Sequence, residues 1–141
     1  MSLLLLTCFS TENLNAQNNK TDKNGLRQGE WVDYHENGNI RYKGQFKDNE
    51  PIGIFEYYNP EGKIIAKGQY LNKKKDGQWQ YFSDKDGSLI LTEDYQNGTL
   101  NGKAVVYIPG TDVVSEETNY VNGVKNGEYI NYYDNGALKT K

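Results

Sequence analysis

Residues 29–53 read GEWVDYHENGNIRYKGQFKDNEPIG, and this stretch decides the fold of the chain. It opens with a glycine, carries aromatic residues two and five positions later, and then reaches a turn at Asn37-Gly38. A second short run ends in an aromatic residue, Phe46, seven residues before the next glycine. The pattern restarts in steps of 24, 24, 25 and 25 residues at Gly53, Gly77, Gly102 and Gly127. Internal repeats of this length fix the architecture, so the chain is a repeat array.

The first run of each unit has the length and aromatic content of a β-strand. Counting from the opening glycine, position two holds Trp31, Phe55, Trp79, Ala104 and Tyr129. Position five is aromatic in every unit, as Tyr34, Tyr58, Phe82, Tyr107 and Tyr132. The second run alternates, so that its apolar and glycine positions share one face of a pleated strand, as in Ile40, Tyr42, Gly44 and Phe46. Each unit is therefore predicted to be a hairpin of two strands.

The spacing predicts an all-β fold: an elongated, single antiparallel β-meander sheet built from about five hairpin repeats of 24–25 residues. Two short strands and two short turns leave no room for a helix in each unit. Parallel pairing would require crossovers of about a dozen residues, which the spacing does not allow. The clearest hairpin signals are Asn97-Gly98 and Asn122-Gly123. We expect about nine strands, one hairpin being added by each repeat.

Two features of the repeats leave alternatives open, and a third is the irregularity of one unit. Positions two and five have opposite parity, so either both faces carry aromatic ladders or a bulge reorients one set. The opening glycines either bend the backbone or allow an aromatic ring from the adjoining strand to lie across it. The fourth unit is irregular, with Ala104 at position two and Pro109-Gly110 in the turn, and we expect a distorted hairpin there.

The first 16 residues differ in composition from the rest of the chain. The apolar run Leu3–Leu6 and the small residue Ala16 before Gln17 resemble a secretory signal that lacks its basic beginning. Residues 1–16 are therefore predicted to be a clipped signal peptide, and the protein to be exported. A rival interpretation is a lipobox that ends at Cys8, whose thiol would carry the lipid. If residues 1–16 are not a signal, the protein is cytoplasmic.

The remaining chain divides into a leader and the repeats. Residues 17–24 are polar and aperiodic, which predicts a flexible leader. Residues 25–141 are predicted to form the repeat domain, with units starting at Gly29, Gly53, Gly77, Gly102 and Gly127.

Composition and charge exclude several classes of partner. The net charge is −3 with both signs mixed along the chain, so we expect no nucleic-acid partner. The one basic run, Lys73-Lys74-Lys75, is interpreted as a solvated hairpin tip. Direct membrane insertion is not expected either, since the apolar run is far too short to span a bilayer; lipidation at Cys8 would be the exception.

The sequence offers little for chemistry. His35 is the only histidine and is interpreted as an exposed residue at the end of a strand. The acidic pairs Glu93-Asp94 and Glu116-Glu117 are neighbours along a strand and should point to opposite faces. A single cysteine excludes an internal disulfide and a CxxC metal site. We therefore predict a non-enzyme with no catalytic, cofactor-binding or metal-binding residues and no cofactor.

The phrase Lys43-Gly44-Gln45-Phe46 followed by Gly53-Ile54-Phe55 returns as Lys67-Gly68-Gln69-Tyr70 followed by Gly77-Gln78-Trp79. It resembles the MORN repeat, and more closely the bacterial variant GxWxxYxxNGxLxxxGxYxxG. Two units depart from it, with Glu93 and Thr118 where a glycine should precede the closing tyrosine. The resemblance implies an elongated, twisted antiparallel sheet and a scaffold role without chemistry of its own. Bacterial relatives of this kind are often labelled as YwqK-type antitoxins.

Together these observations predict a non-catalytic scaffold for protein–protein interaction at the bacterial cell envelope (periplasm, outer membrane or secreted). One alternative is an antitoxin-like protein that binds and neutralises a toxin. Another is an envelope glycan binder that uses aromatic side chains such as Trp31, Tyr34 and Trp79. A hydrolase that uses the acidic pairs is the alternative from a different class.

Overall fold

The computed structural model describes residues 18–141, and in this range eleven strands form one antiparallel sheet in sequence order. The strands are β1 (Lys20–Thr21), β2 (Arg27–Tyr34), β3 (Ile40–Lys47), β4 (Glu50–Tyr58), β5 (Ile64–Leu71), β6 (Lys74–Phe82), β7 (Leu89–Gln96), β8 (Thr99–Tyr107), β9 (Val114–Val121), β10 (Val124–Tyr132) and β11 (Leu138–Thr140). The predicted all-β meander is confirmed. The short strands β1 and β11 bring the total above the nine predicted.

Within these residues, no helix is long and apolar enough to cross a membrane. The predicted signal segment, residues 1–16, and Cys8 lie outside the described residues.

The opening glycines bend the backbone, as one of the two alternatives proposed. Gly53 and Gly77 have φ of 67° and 68°, a region that costs other residues free energy. At Gly53 the register of β4 against β3 shifts between the pairs Gln45↔Ile52 and Lys43↔Glu56. This is a β-bulge, which increases the local twist of the strand. The bulge recurs in each later unit, so the opening glycine marks the place where the sheet coils.

Adjacent units are joined by two-residue turns at Asp48-Asn49, Asn72-Lys73, Asn97-Gly98 and Asn122-Gly123. Both central residues have positive φ in all four turns, as in a type I′ hairpin. The two Asn-Gly hairpins predicted from the sequence are confirmed. The same turn forms at Asp48-Asn49 and Asn72-Lys73 without glycine, because the pairing of the flanking strands imposes it.

The turn inside each unit explains why the repeat length changes from 24 to 25 residues. In the first unit the N–H of His35 donates to the carbonyl of Asn39, four residues later. In the third and fourth units the closing bond spans five residues, from Ser83 to Ser88 and from Ile108 to Val113. The additional residue is therefore accommodated in the turn, and the strands keep their length.

The fourth unit is less distorted than predicted. Strands β8 and β9 pair from Gly102↔Tyr120 to Tyr107↔Val114, with a shift between Val106 and Tyr107. The first three units have the same shift one residue before position five. The prediction of a distorted hairpin was thus wrong for the strands. The irregularity of Pro109-Gly110 is confined to the longer turn.

Residues 18–24 differ from the predicted flexible leader, because part of this segment pairs with the sheet. Lys20 and Thr21 lie opposite Gln28 and Arg27 of β2. The side chain of Asn19 accepts a hydrogen bond from the N–H of Val32 (2.7 Å) and donates one to its carbonyl (2.8 Å). The Asn19 side chain thus makes the two hydrogen bonds that the backbone of a neighbouring strand would make. Hydrophobic periodicity cannot predict such an interaction.

Candidate functional site

One face of the sheet is lined by aromatic rings, and we call it the aromatic face. The rings that cluster there come from units one to three: Trp31, Tyr42, Phe46, Phe55, Tyr57, Tyr70, Trp79, Tyr81 and Tyr95. Closing and position-two rings meet edge to face, as in Phe55–Tyr70 (centroids 5.0 Å apart, planes at 78°) and Tyr70–Trp79 (5.2 Å, 84°). These geometries suit the quadrupoles of the rings. The rings bury one another, and Phe55 and Trp79 are only 3% and 2% exposed in a sheet of one layer.

The second glycine of the unit provides the floor on which a position-two ring lies. A Cβ placed on Gly44 would stand 2.3 Å from the ring of Phe55, and one on Gly68 would stand 2.2 Å from Trp79. The indole N–H of Trp79 donates to the carbonyl of Gln69 at 3.1 Å. The alternative that an aromatic ring lies across the opening glycine is therefore wrong: the ring lies across the second glycine of the unit, and the opening glycine forms the bulge.

Where the repeat departs from its pattern, a larger residue replaces the second glycine, and the residue opposite it on the next strand is smaller or more exposed. Glu93 takes the place of the second glycine in unit three, and the residue opposite it on β8 is Ala104 instead of an aromatic residue. In unit four, Thr118 takes that place and lies opposite Tyr129, which is 40% exposed. A ring lies flat only where a glycine leaves room for it, so the ring ladder ends in unit three.

The other face is more polar, and it carries position-five residues. Tyr58 donates a hydrogen bond from its hydroxyl to Glu56 (2.8 Å), and the ammonium of Lys67 donates to the same carboxylate (2.9 Å). Burial, followed by the Glu56 interaction, raises the pKa of Tyr58 to about 12. The hydrogen bonds from Lys67 and Tyr58 lower the pKa of Glu56. Of the two alternatives for positions two and five, aromatic residues on both faces is the one observed.

A lysine lies among the rings of unit three. The Nζ atom of Lys75 is 4.2, 5.3 and 4.9 Å from the ring centroids of Trp79, Tyr81 and Tyr95. It donates a hydrogen bond to the hydroxyl of Tyr81 at 2.7 Å. Burial lowers the pKa of Lys75, and the carboxylate of Glu93 opposes that effect. The prediction of a solvated tip was therefore wrong for Lys75: the turn contains Lys73, whereas Lys75 lies in β6 and covers Trp79.

A groove of about 290 Å³ opens on the aromatic face in unit two. Its lining includes Tyr42, Pro51, Phe55, Tyr57 and Tyr70. The hydroxyls of Tyr57 and Tyr70 lie 3.2 Å apart, at hydrogen-bonding distance. Burial, followed by the interaction with Tyr70, raises the pKa of Tyr57. The groove therefore presents aromatic rings and hydroxyls, with the side chain of Arg27 at its border. Sequence analysis named no site here.

His35 contributes to the joining of units. Its Nε2–H donates to the carbonyl of Tyr58, 2.8 Å away in the next unit. The predicted exposed position is corrected to a half-buried one. Neighbouring turns make similar bridges, since the amides of Asn37 and Asn39 both donate to the carbonyl of Pro60 at 2.7 Å. The histidine thus acts as a structural donor between turns.

The acidic pairs point apart, as their sequence positions indicate. Glu93 accepts the hydroxyl of Tyr95 (2.8 Å) on the aromatic face, whereas Asp94 accepts the backbone N–H of Lys103 (3.1 Å). Glu117 is bound by the Lys103 ammonium at 3.0 Å. Among the described residues, no group of three or more His, Cys, Asp or Glu side chains is arranged to hold a metal ion.

Comparison with known proteins finds one family. The family described as MORN repeat variant matches residues 27–48, 51–72 and 125–141. No curated protein sequence matches the chain. The matched segments correspond to β2–β3, β4–β5 and β10–β11. The unmatched middle contains the longer turns, Glu93 and Ala104. The first, second and fifth units therefore match the MORN repeat variant, and the two units between them repeat the same strand pairing.

Proposed function

We propose that this chain is a non-catalytic repeat scaffold that mediates protein–protein interaction through its aromatic face. The observation that carries the proposal is the groove of unit two, where half-buried tyrosines surround an opening in a sheet of one layer. Aromatic residues are enriched at the centres of protein interfaces. MORN repeats are generally scaffolds that bind proteins or membranes, which supports the proposal. The mixed charge of this chain favours a protein over an anionic lipid surface.

Two adjacent residues allow a matched test, because they point to opposite faces of β3. Tyr42 borders the groove, whereas Lys43 lies near Tyr58 on the polar face. Affinity capture from the native host would be compared for the original chain, Tyr42→Ala and Lys43→Ala, after each is shown to unfold cooperatively. We expect one protein to be captured by the original chain and by Lys43→Ala, but not by Tyr42→Ala. Loss in Lys43→Ala alone would contradict the use of the aromatic face, and capture of nothing by the original chain would contradict the scaffold.

The proposal includes export to the bacterial cell envelope, on the basis of the composition of residues 1–16. The intact mass of the mature protein from its native host tests it. A mass that begins at Gln17, or a lipid-modified Cys8, would support export. A mass that begins at Met1 or Ser2 would contradict it and would favour the antitoxin-like alternative, in which the bound partner is an intracellular toxin.

A glycan partner receives less support from the geometry. Sugar rings stack on exposed, flat aromatic surfaces, whereas Trp79 is 2% exposed and is covered by Lys75. Closing and position-two rings meet edge to face, at 76° to 84°. The aromatic face therefore offers a groove between rings, which suits an inserted side chain better than a stacked sugar.

A further inference from the structure

A basic residue two positions before the opening glycine accompanies the position-two ring in every unit that has this ring, except in unit two. From unit one to unit five, the residues at that position are Arg27, Pro51, Lys75, Leu100 and Lys125. In units one, three and five the residue is basic, and its charged group lies 5.7, 4.2 and 5.6 Å from the position-two ring. Unit four has leucine here and Ala104 at position two, so it lacks both the cation and the ring. Unit two has the ring of Phe55 but no cation of its own.

Unit three shows what the basic residue does. The ammonium of Lys75 is enclosed by three rings, those of Trp79, Tyr81 and Tyr95, and donates to the hydroxyl of Tyr81. Attraction between a cation and the faces of several rings is the way aromatic cages bind ammonium groups. The cage in unit three is thus filled by the chain itself.

The corresponding cage in unit two has its rings in place. Phe55, Tyr57 and Tyr70 correspond to the three rings around Lys75, and Tyr42 supplies a fourth. Phe55 is 6.1 Å from Tyr42, 6.1 Å from Tyr57 and 5.0 Å from Tyr70. Where unit three has Lys75, unit two has Pro51, and the groove of about 290 Å³ opens beside it. Its floor ring, Phe55, is 3% exposed, so the half-buried rings of Tyr42, Tyr57 and Tyr70 form its accessible wall.

The basic residue nearest to this cage is engaged elsewhere. Arg27 also borders the groove, but its guanidinium lies 3.7 Å from the centre of Phe46. It also donates to the side-chain oxygen of Asn49 (3.2 Å) and to the Asn49 carbonyl (3.4 Å). These contacts hold Arg27 on the ring of unit one. The guanidinium therefore stays at the Phe46 border of the groove.

We propose that the cage of Tyr42, Phe55, Tyr57 and Tyr70 binds the side-chain ammonium of a lysine presented by the protein partner. This inference rests on the proposed scaffold function. Unit two has Gly68 where unit three has the carboxylate Glu93, so no acidic side chain compensates for desolvation of the ammonium. A methylated ammonium is less strongly hydrated, and the cage therefore binds methylated lysine more tightly than lysine.

Small probes test the cage on the intact chain. Choline and its neutral isostere 3,3-dimethylbutan-1-ol would be titrated while the ring protons of the tyrosines are followed by NMR. Nα-acetyl-lysine methylamide and its trimethylated form would be titrated in the same way. We expect choline to bind roughly 3- to 30-fold more tightly than the isostere, because only choline carries charge. Equal affinity for choline and the isostere would overturn the proposal.

One substitution would fill the cage of unit two, and another would empty the cage of unit three. Pro51→Lys gives unit two the lysine of unit three and should weaken choline binding at least tenfold, whereas Pro51→Ala should retain it. Lys75→Ala removes the side chain that fills the cage of unit three and should add a second choline site on Trp79 and Tyr81. Thermal unfolding of each variant reports whether it folds, and Lys75→Ala decides the question if Pro51→Lys does not fold. Unchanged binding in folded Pro51→Lys, or in folded Lys75→Ala, would overturn the proposal.

The partner distinguishes this inference from the scaffold proposal. If Pro51→Lys no longer captures a protein that Pro51→Ala captures, the cage receives a lysine of that partner. If both variants capture the partner equally, the scaffold stands and the lysine inference fails. If choline binds to the cage but the original chain captures no protein, the scaffold proposal fails and only the ammonium site remains.

Discussion

At the scale of single residues, the aromatic face depends on two glycines, whose lack of a side chain leaves room for a ring. Gly44 and Gly68 lie under Phe55 and Trp79, and a Cβ at either position would stand within 2.5 Å of ring carbons. Neither ring can move away easily, since each is held at its edges by neighbouring rings. The two glycines therefore fix where the most buried rings of the molecule lie.

Gly68→Ala is expected to destabilise the protein by about 1–3 kcal/mol, the usual cost of overpacking a close-packed site. The added methyl group would displace Trp79 and weaken its hydrogen bond to Gln69. Urea unfolding followed by tryptophan fluorescence measures the change. Gln69→Ala is the matched control, because this neighbouring side chain is exposed and only its backbone carbonyl meets Trp79. Equal effects of the two substitutions would show that Gly68 is not a packing position.

Position five provides a second comparison between equivalent residues. Tyr58→Ala should cost roughly 1–2 kcal/mol, less than the 3–5 kcal/mol of a fully buried ring, because Tyr58 is half-buried. Tyr34→Ala should stay within about 0.5 kcal/mol, since Tyr34 is 54% exposed. Melting temperatures of both variants check this. No change in Tyr58→Ala would remove the claim that Tyr58 is packed against Glu56 and Lys43.

At the scale of the elements, strands and turns could be predicted because each has a local signal. Glycine and aromatic spacing gave the hairpins, and Asn-Gly gave two of the tight turns. The strand at Lys20–Thr21 could not be predicted, because its partner is the backbone of β2 and its own residues have no periodicity. Adoption of the same turn by Asn72-Lys73 was also not visible, since it follows from strand pairing and not from the preference of lysine.

The turn at Asn72-Lys73 is strained in a way that the Asn-Gly turns are not. Lys73 has φ of 67°, a conformation that costs a residue with a Cβ about 1 kcal/mol or more. Lys73→Gly should therefore stabilise the protein by about 0.5–1 kcal/mol, as judged by urea unfolding. Loss of the exposed ion pair between Lys73 and Glu50 subtracts little from this.

The reverse substitution in the equivalent turn is the control. Gly98→Lys should destabilise by about 1–2 kcal/mol, because Gly98 also has positive φ (85°) and a Cβ there would lie 3.2 Å from the side chain of Lys74. If Lys73→Gly lowers the melting temperature, strain at this turn is not a cost to the fold.

At the scale of the whole molecule, the candidate cage shows where sequence reasoning stops. The sequence shows the basic residues two positions before three of the opening glycines. Only the distance from each charge to its ring shows that they lie on the position-two rings. The sequence alone places Lys75 in a charged run, because the register of β6, which decides which lysine faces Trp79, is not visible in it. The groove beside Pro51 depends on how the rings of three neighbouring strands are arranged, which the sequence does not show.

Tyrosines with raised pKa values make the free energy of unfolding depend on pH in the alkaline range. Unfolded tyrosine ionises near pH 10, whereas the pKa of Tyr58 is about 12 and burial raises those of Tyr57 and Tyr81. Between pH 10 and 12 the folded state therefore retains protons that the unfolded state has lost. The free energy of unfolding should fall as pH rises through this window. Below the lysine pKa of about 10.4, the lowered pKa of Lys75 acts in the opposite direction, so it flattens the dependence only at the start of this window.

Urea unfolding at several pH values between 9 and 12 measures this dependence. Tyr58→Phe keeps the ring and removes the ionisable hydroxyl, so its stability should fall less steeply with pH than that of the original chain. Stability that is constant or rising over this range in the original chain would contradict the raised pKa values.

The ring ladder also predicts how stability is distributed along the array. In a repeat protein each unit contributes its own stability and its contacts with neighbours, so units can open separately. Rings cover β4 to β7, whereas the first six residues of β10 and all of β11 are exposed. Native-state hydrogen exchange should show amides of β10 and β11 opening with a free energy several kcal/mol below that of β5 and β6. Equal protection would mean that backbone pairing alone makes the array cooperative, and that the rings serve binding more than stability.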